Sequence, residues 1–223
     1  MSPAERVLKL ASDHPDREQL ILLAALSVLW LEPQNPEARL LLIRYREHQF
    51  PIVPLRETAL QLFLIAGFQT SLEAAFQVKD VFGVGLPSLE AELQEFNAKL
   101  WWERGLDLQA QVYQQNVDRL RANLEAVSTE LATWPVLVGY GLVMSRPGLP
   151  PHWRELFEVV VLAVQGFPRQ LHSHLRGAVF MGASCEEVEL ILDIAKILGP
   201  EVKTQSAWHM WRRIREIVCQ NGR

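Results

Sequence analysis

Cysteine is scarce in this chain, with two in 223 residues. Cys185 and Cys219 lie far apart and form no CxxC pair, so no dithiol redox centre is expected within the chain, and a reducing cytoplasm is the expected setting. Alternating strand patterns of useful length are missing, which excludes a sheet and leaves an all-α fold. The longest apolar run, Leu20 to Leu31, is too short to span a bilayer, so no membrane partner is expected. Charges interrupt every apolar stretch of the opening MSPAERVLKLASDHPDRE, so no signal peptide is expected there. The 22 basic and 26 acidic residues are well mixed at net charge −4, without the clustered basic face that nucleic acid would need. HExxH, P-loop and dinucleotide-binding glycine patterns are absent, and the GVG at Gly83 to Gly85 follows no strand. No metal and no cofactor are therefore expected.

What is present is concentrated between Ser145 and Gly182, SRPGLPPHWRELFEVVVLAVQGFPRQLHSHLRGAVFMG. It reads as a loop, a buried helix, a sharp turn at Gly166 and a second helix opened by Pro168. In the second helix Leu171, Leu175, Ala178 and Val179 form a core-facing stripe, and His174 falls inside it. His172, two residues away, faces another side, so the two imidazoles do not chelate a metal together. The first helix is apolar on nearly every side, interrupted by Glu155 and Glu158 in its N-terminal half. Glu155 lies in the early turns, where the helix dipole favours a carboxylate. A helix, tight turn, helix arrangement brings Glu155 back beside His174.

The rest of the chain reads as helices punctuated by Gly and Pro. Residues 1–82 form an N-terminal block that looks like a degenerate copy of the C-terminal one at 88–223. Residues 57–76 parallel 186–208, and 18–28 parallel 154–164. Counting on from Glu18 by the Glu155-to-His174 spacing reaches Glu37, not a histidine, so the first copy is read as structural. The hinge is FGVGLP at Phe82 to Pro87, after which Ser88 caps a helix to Trp102 that Gly105 ends. Helices at 107–113 and 116–131 follow, with a short buried one at 134–144. An exposed Trp208 and Trp211 patch on the last helix would indicate self-association.

YGLVMSRPGL from Tyr140, RELFEVVVLAV from Arg154, HLRGAVFMGAS from His174 and EEVELILDIAKILG from Glu186 together resemble carboxymuconolactone decarboxylases and the related alkylhydroperoxidase D proteins. The resemblance runs from about Trp101 to Arg213. It implies an all-α bundle of tandem helical-hairpin repeats that assembles as a homo-oligomer, from dimer to hexamer. In the peroxidase branch a Glu and a His flank a CxxC pair in this two-helix unit. Glu155 and His174 match the first two, but Phe167 and Gln170 stand at the cysteine positions, so peroxidase activity is not expected. The decarboxylase branch lacks those cysteines and has a similar SRPGL loop and HLR run, although Leu142 and Val143 replace the acidic residue expected before SRPG.

The resemblance implies a cofactor-free lyase acting on a small carboxylated lactone or related acid, with His174 as general acid and Glu155 setting its tautomer and raising its pKa. Arg146 is the expected carboxylate binder, and Arg169 and Tyr140 are further substrate-binding candidates. Each has a plainer reading: His174 as a core histidine bonded to a carbonyl, Glu155 as a dipole partner, Arg146 as a loop tie. The competing function is a non-catalytic oligomeric scaffold, in which Phe167 and its neighbours would fill the pocket.

Overall fold

The computed structural model describes residues 1–33, 35–86 and 97–219, and among these every regular element is helical. In chain order the α-helices are α1 (Pro3–Asp13), α2 (Glu18–Leu29), α3 (Glu37–Glu47), α4 (Ile52–Ile65), α5 (Phe68–Phe82), α6 (Ala98–Tyr113), α7 (Val117–Glu125), α8 (Thr129–Trp134), α9 (Pro151–Gln165), α10 (Pro168–Phe180), α11 (Cys185–Leu198) and α12 (Glu201–Val218). A π-helix, Pro135–Met144, carries the chain from α8 into the loop before α9. The expected Ser88 cap lies outside the described residues.

Two helices form the axis of the bundle because they have almost no polar face. In α2 every residue except Gln19 is buried, and in α9 burial runs from Arg154 through Ala163. They pack on each other, and α11 packs on both. One continuous core extends from Ala4 to Val218, so both halves of the chain contribute to it. At about 1.5–3 kcal/mol for each large aliphatic side chain removed from water, this core is the main source of stability. The outer helices are set by local signals. Ser2 and Glu5 make a reciprocal capping box on α1, and Ser184 and Glu187 make another on α11.

The turn between α9 and α10 sets the geometry of the C-terminal half. The N–H groups of Gly166 and Phe167 both donate to the Leu162 carbonyl, at 2.9 and 3.1 Å, and Gly166 has φ 81°. The turn between α4 and α5 makes the same pair of bonds, with Ala66 and Gly67 N–H both on Leu62 O, but its positive-φ residue is the second, Gly67, rather than the first. By this hydrogen-bond pattern α9–α10 matches α4–α5, whereas the sequence parallel pairs α4–α5 with α11–α12. The α11–α12 junction differs, with an extended Gly199 whose N–H bonds Ala195 O. At the place in α5 that His174 occupies in α10, counted from the two leucines, stands the buried Ala74.

Several expectations are corrected. Gly105 does not end a helix but sits inside α6. A Cβ there would lie 1.9 Å from Val136 O, and one on Gly141 would lie 2.0 Å from Trp101 O. The two glycines let α6 and the π-helix touch backbone to backbone, a packing demand that looks like a helix stop in sequence. Trp211 is fully buried with its Nε1–H on Glu189, so the last helix carries no exposed Trp208 and Trp211 pair. Cys185 and Cys219 are disulfide-bonded. They open α11 and follow α12, and the helical hairpin between them brings their Cα atoms to 6.5 Å.

Gly105→Ala is expected to cost about 1–3 kcal/mol or more, because the added methyl meets backbone rather than a yielding side chain. A urea midpoint unchanged from the parent chain would refute the close-packing role.

Candidate active site

The site is assembled on α9 and α10, with contributions from α4 and the π-helix. His174 Nδ1 lies 2.8 Å from Glu155 Oε2, and Glu155 is almost wholly buried. A Cβ on Gly177 would come within 2.7 Å of that same oxygen, so the absent side chain makes room for the carboxylate. The other oxygen, Glu155 Oε1, is buried with no hydrogen-bond partner among the described residues. With Nδ1 engaged by a carboxylate, the tautomer that donates there is favoured, and Nε2 is left for whatever enters the adjoining cavity.

That cavity has a volume of about 540 Å³. Its polar side chains are His174, Glu158 and Tyr140, and the rest of the wall is apolar, including Leu64 and Ile65 of α4, Trp134 of α8 and Val138 of the π-helix. Glu158 lies one turn beyond Glu155. It accepts a 3.0 Å bond from Gln61 Nε2, which also donates to the Arg154 carbonyl at 2.8 Å. Tyr140 donates to the Tyr113 hydroxyl at 3.1 Å.

Electrostatics distinguish these groups. Burial opposes protonation of His174, but Glu155, through its charge and its hydrogen bond, and then Glu158 outweigh it and hold the imidazole up at about 9. Burial pushes the Glu158 carboxyl up to about 7, with the His174 charge pulling against that rise and Glu155 adding to it. Burial also raises both tyrosines, Tyr113 to about 12 and Tyr140 well above the usual phenol value. A cation, a neutral-leaning acid and a phenol thus face one apolar cavity at neutral pH.

The structure brings Glu155, His174 and Tyr140 together and leaves the two arginines elsewhere. Arg146 Nε bonds Glu57 Oε2 at 3.0 Å, in a buried cluster where Arg154 Nη2 reaches the same oxygen at 2.8 Å and Arg56 pairs with Oε1. Burial opposes the charge on Glu57, but its hydrogen bonds from Arg146, Arg154 and Arg56 win and lower its pKa. Arg169 lines a separate cleft on the far side of α10. Phe167 is half exposed and lines neither of these two cavities.

Sequence reasoning missed Glu158, Gln61 and Glu57. Glu158 was legible, since a spacing of three from Glu155 puts two carboxylates on one helical face. Gln61 carries no local signal, because its partners are more than ninety residues away, and for Glu57 the neighbouring Arg56 gives no hint of Arg146 and Arg154, which lie 89 and 97 residues on.

Comparison with known proteins gives two findings. The model of the carboxymuconolactone decarboxylase family matches residues 129–212. A 4-carboxymuconolactone decarboxylase of Acinetobacter baylyi (strain ATCC 33305 / BD413 / ADP1) is 32% identical over 111 residues, covering 49% of this chain and 82% of that protein.

The sign of the pH dependence follows from the raised values. Folded His174 and Glu158 hold protons that the unfolded chain releases nearer 6.5 and 4.5, so stability falls as pH rises through 4.5 to about 7 for Glu158 and through 6.5 to about 9 for His174. In a ¹H–¹⁵N titration His174 is expected to titrate well above His172, which burial and then the charges of Arg176 and Arg213 depress. Glu155→Gln should bring His174 down; an unmoved His174 would show that Glu155 is not the cause.

Proposed function

The chain belongs to the carboxymuconolactone decarboxylase family, and on that premise we propose that it is a cofactor-free lyase that removes CO₂ from a small carboxylated lactone or related acid. The observation that carries this reading is the Glu155–His174 pair, opening with Glu158 and Tyr140 onto an apolar cavity. The bond between the ring and the carboxylate carbon breaks, CO₂ leaves, and the electron pair stays on the ring, conjugated with its acyl group. A proton from His174 then neutralises it. Glu155 acts through His174 as a positioning residue, holding the ring by Nδ1 so that Nε2 donates into the cavity. Glu158, poised near neutrality, is the second proton store and re-protonates His174 between turnovers.

The apolar wall supports decarboxylation in particular. A carboxylate moved out of water onto hydrocarbon is destabilised, whereas a transition state that spreads its charge over a ring loses less. Among the described residues no arginine lines this cavity, so His174 takes over the charge-stabilising role expected of Arg146. Arg146 is assigned instead to holding Glu57 and the loop. The scaffold alternative called for a pocket filled by Phe167, and the half-exposed Phe167 outside the cavity gives it no support.

With 4-carboxymuconolactone as substrate, the expected outcome is CO₂ release that His174→Ala abolishes. In the parent chain kcat/KM should fall as pH rises through about 7, and Glu158→Gln should remove that limb. Full activity in His174→Ala would sink the lyase site, and an unaltered pH profile in Glu158→Gln would remove Glu158 from it.

A homo-oligomer and a cytoplasmic location belong to the same proposal. Phe63, Leu131 and Trp134 line the cavity with 43, 48 and 59% of their surface exposed, an apolar rim suited to a second copy. Light scattering should give a multiple of 25.5 kDa, and a monomer at all concentrations would exclude this. The Cys185–Cys219 bond weighs against the cytoplasm, since disulfides persist mainly in oxidising compartments. Thiol labelling of protein taken directly from its native cells decides the point: two free thiols support the cytoplasm and none rejects it.

A further inference from the structure

On the face of α10 that turns away from His174 lies a cleft of about 690 Å³ between α6, α7, α10 and α12. Arg119 of α7 and Arg169 and Arg176 of α10 line it together with His172, and among the described residues no Asp or Glu does. None of the three guanidinium groups lies in an ion pair with a described carboxylate, although acidic residues outnumber basic ones in the chain. Other arginines of the chain also lie outside ion pairs; what sets these three apart is that they converge on one concavity whose described lining carries no carboxylate, where their donor forks are left for a ligand. The Arg176 guanidinium stacks over the Phe180 ring at 5.6 Å, which orients its donor fork. Phe180, Leu120 and Met210 supply an apolar floor beside the charges.

We propose that this cleft is a second binding site, for a ligand that carries two or more anionic groups on a partly apolar body. Arginine forks match carboxylate and phosphate oxygens equally well, so the shared chemistry is a polycarboxylate or a phosphate ester. The depressed pKa of His172 agrees with this, because burial and then the positive fields of Arg176 and Arg213 act there without compensation. Tyr113 lines the cleft and its hydroxyl accepts from Tyr140, which lines the His174 cavity, so the two sites share a wall. The proposal is independent of the lyase reading, and an inactive or fully active His174→Ala leaves it standing.

Citrate and inorganic pyrophosphate are the probes, followed by calorimetry and by ¹H–¹⁵N titration of the histidines. One or both should bind once per chain, more weakly as NaCl is raised. Binding should lift the pKa of His172, because the bound anion offsets the two arginines. The double variant R119E/R169E alters two exposed side chains and should weaken binding at least about tenfold. Pyrophosphate alone binding assigns phosphate esters, and citrate alone assigns polycarboxylates. Failure of both at millimolar concentration overturns the proposal, as does binding that the double variant leaves unchanged. A change in oligomer mass on charge reversal without any anion binding likewise overturns it, in favour of a subunit contact.

Discussion

A carboxylate with no exposed surface has to be neutralised where it lies, and Glu57 is such a group. Removing an ion from water costs several kcal/mol even after relaxation, so Glu57 is tolerable only because Arg56, Arg146 and Arg154 converge on it. Those partners come from α4, from the loop before α9 and from α9 itself. The cluster therefore fixes the depth at which α4 sits against the C-terminal hairpin. One turn further along α4, Gln61 reaches Glu158, and the end of the helix supplies Leu64 and Ile65 to the cavity wall. Glu57 lies outside the segment that the family model matches, while Arg146 and Arg154 lie within it. The N-terminal half is thus a structural component of the candidate site.

α10 serves two chemically opposite spaces. His174 looks into a cavity whose walls are nearly all hydrocarbon, and Arg169 and Arg176 look into a cleft with no acid among its described lining residues. This division follows from helical geometry, in which residues two apart in sequence face different sides. It also explains why one helix holds histidines shifted in opposite directions: Glu155 and Glu158 raise His174, while burial with Arg176 and Arg213 lowers His172.

Much of this was legible in the sequence, for identifiable reasons. The all-α class followed from periodicity, and Gly166 with Pro168 fixed the turn that brings Glu155 to His174. Both depend on local chemistry, which a sequence displays directly. What was not legible depended on contacts between distant segments. Gly105 carries the signal of a helix stop, and only the closeness of Val136 reveals why α6 runs through it. Cys185 and Cys219 are distant along the chain, and only the α11–α12 hairpin makes them neighbours. Arg146 has the composition of a carboxylate binder, and the carboxylate it holds turned out to be the protein's own Glu57.

Gly177 ties the two site helices together as inherited text as well as structure. Glu155 Oε2 lies 2.7 Å from the point where any other residue at 177 would put its first carbon. A lineage that gains a side chain at 177 must move both the carboxylate at 155 and the Val112 methyl, 2.8 Å from that same carbon, so shortening 155 alone does not free the position. Change at 177 therefore draws on 155 and 112 together, and relatives that carry a side chain at 177 should differ at both.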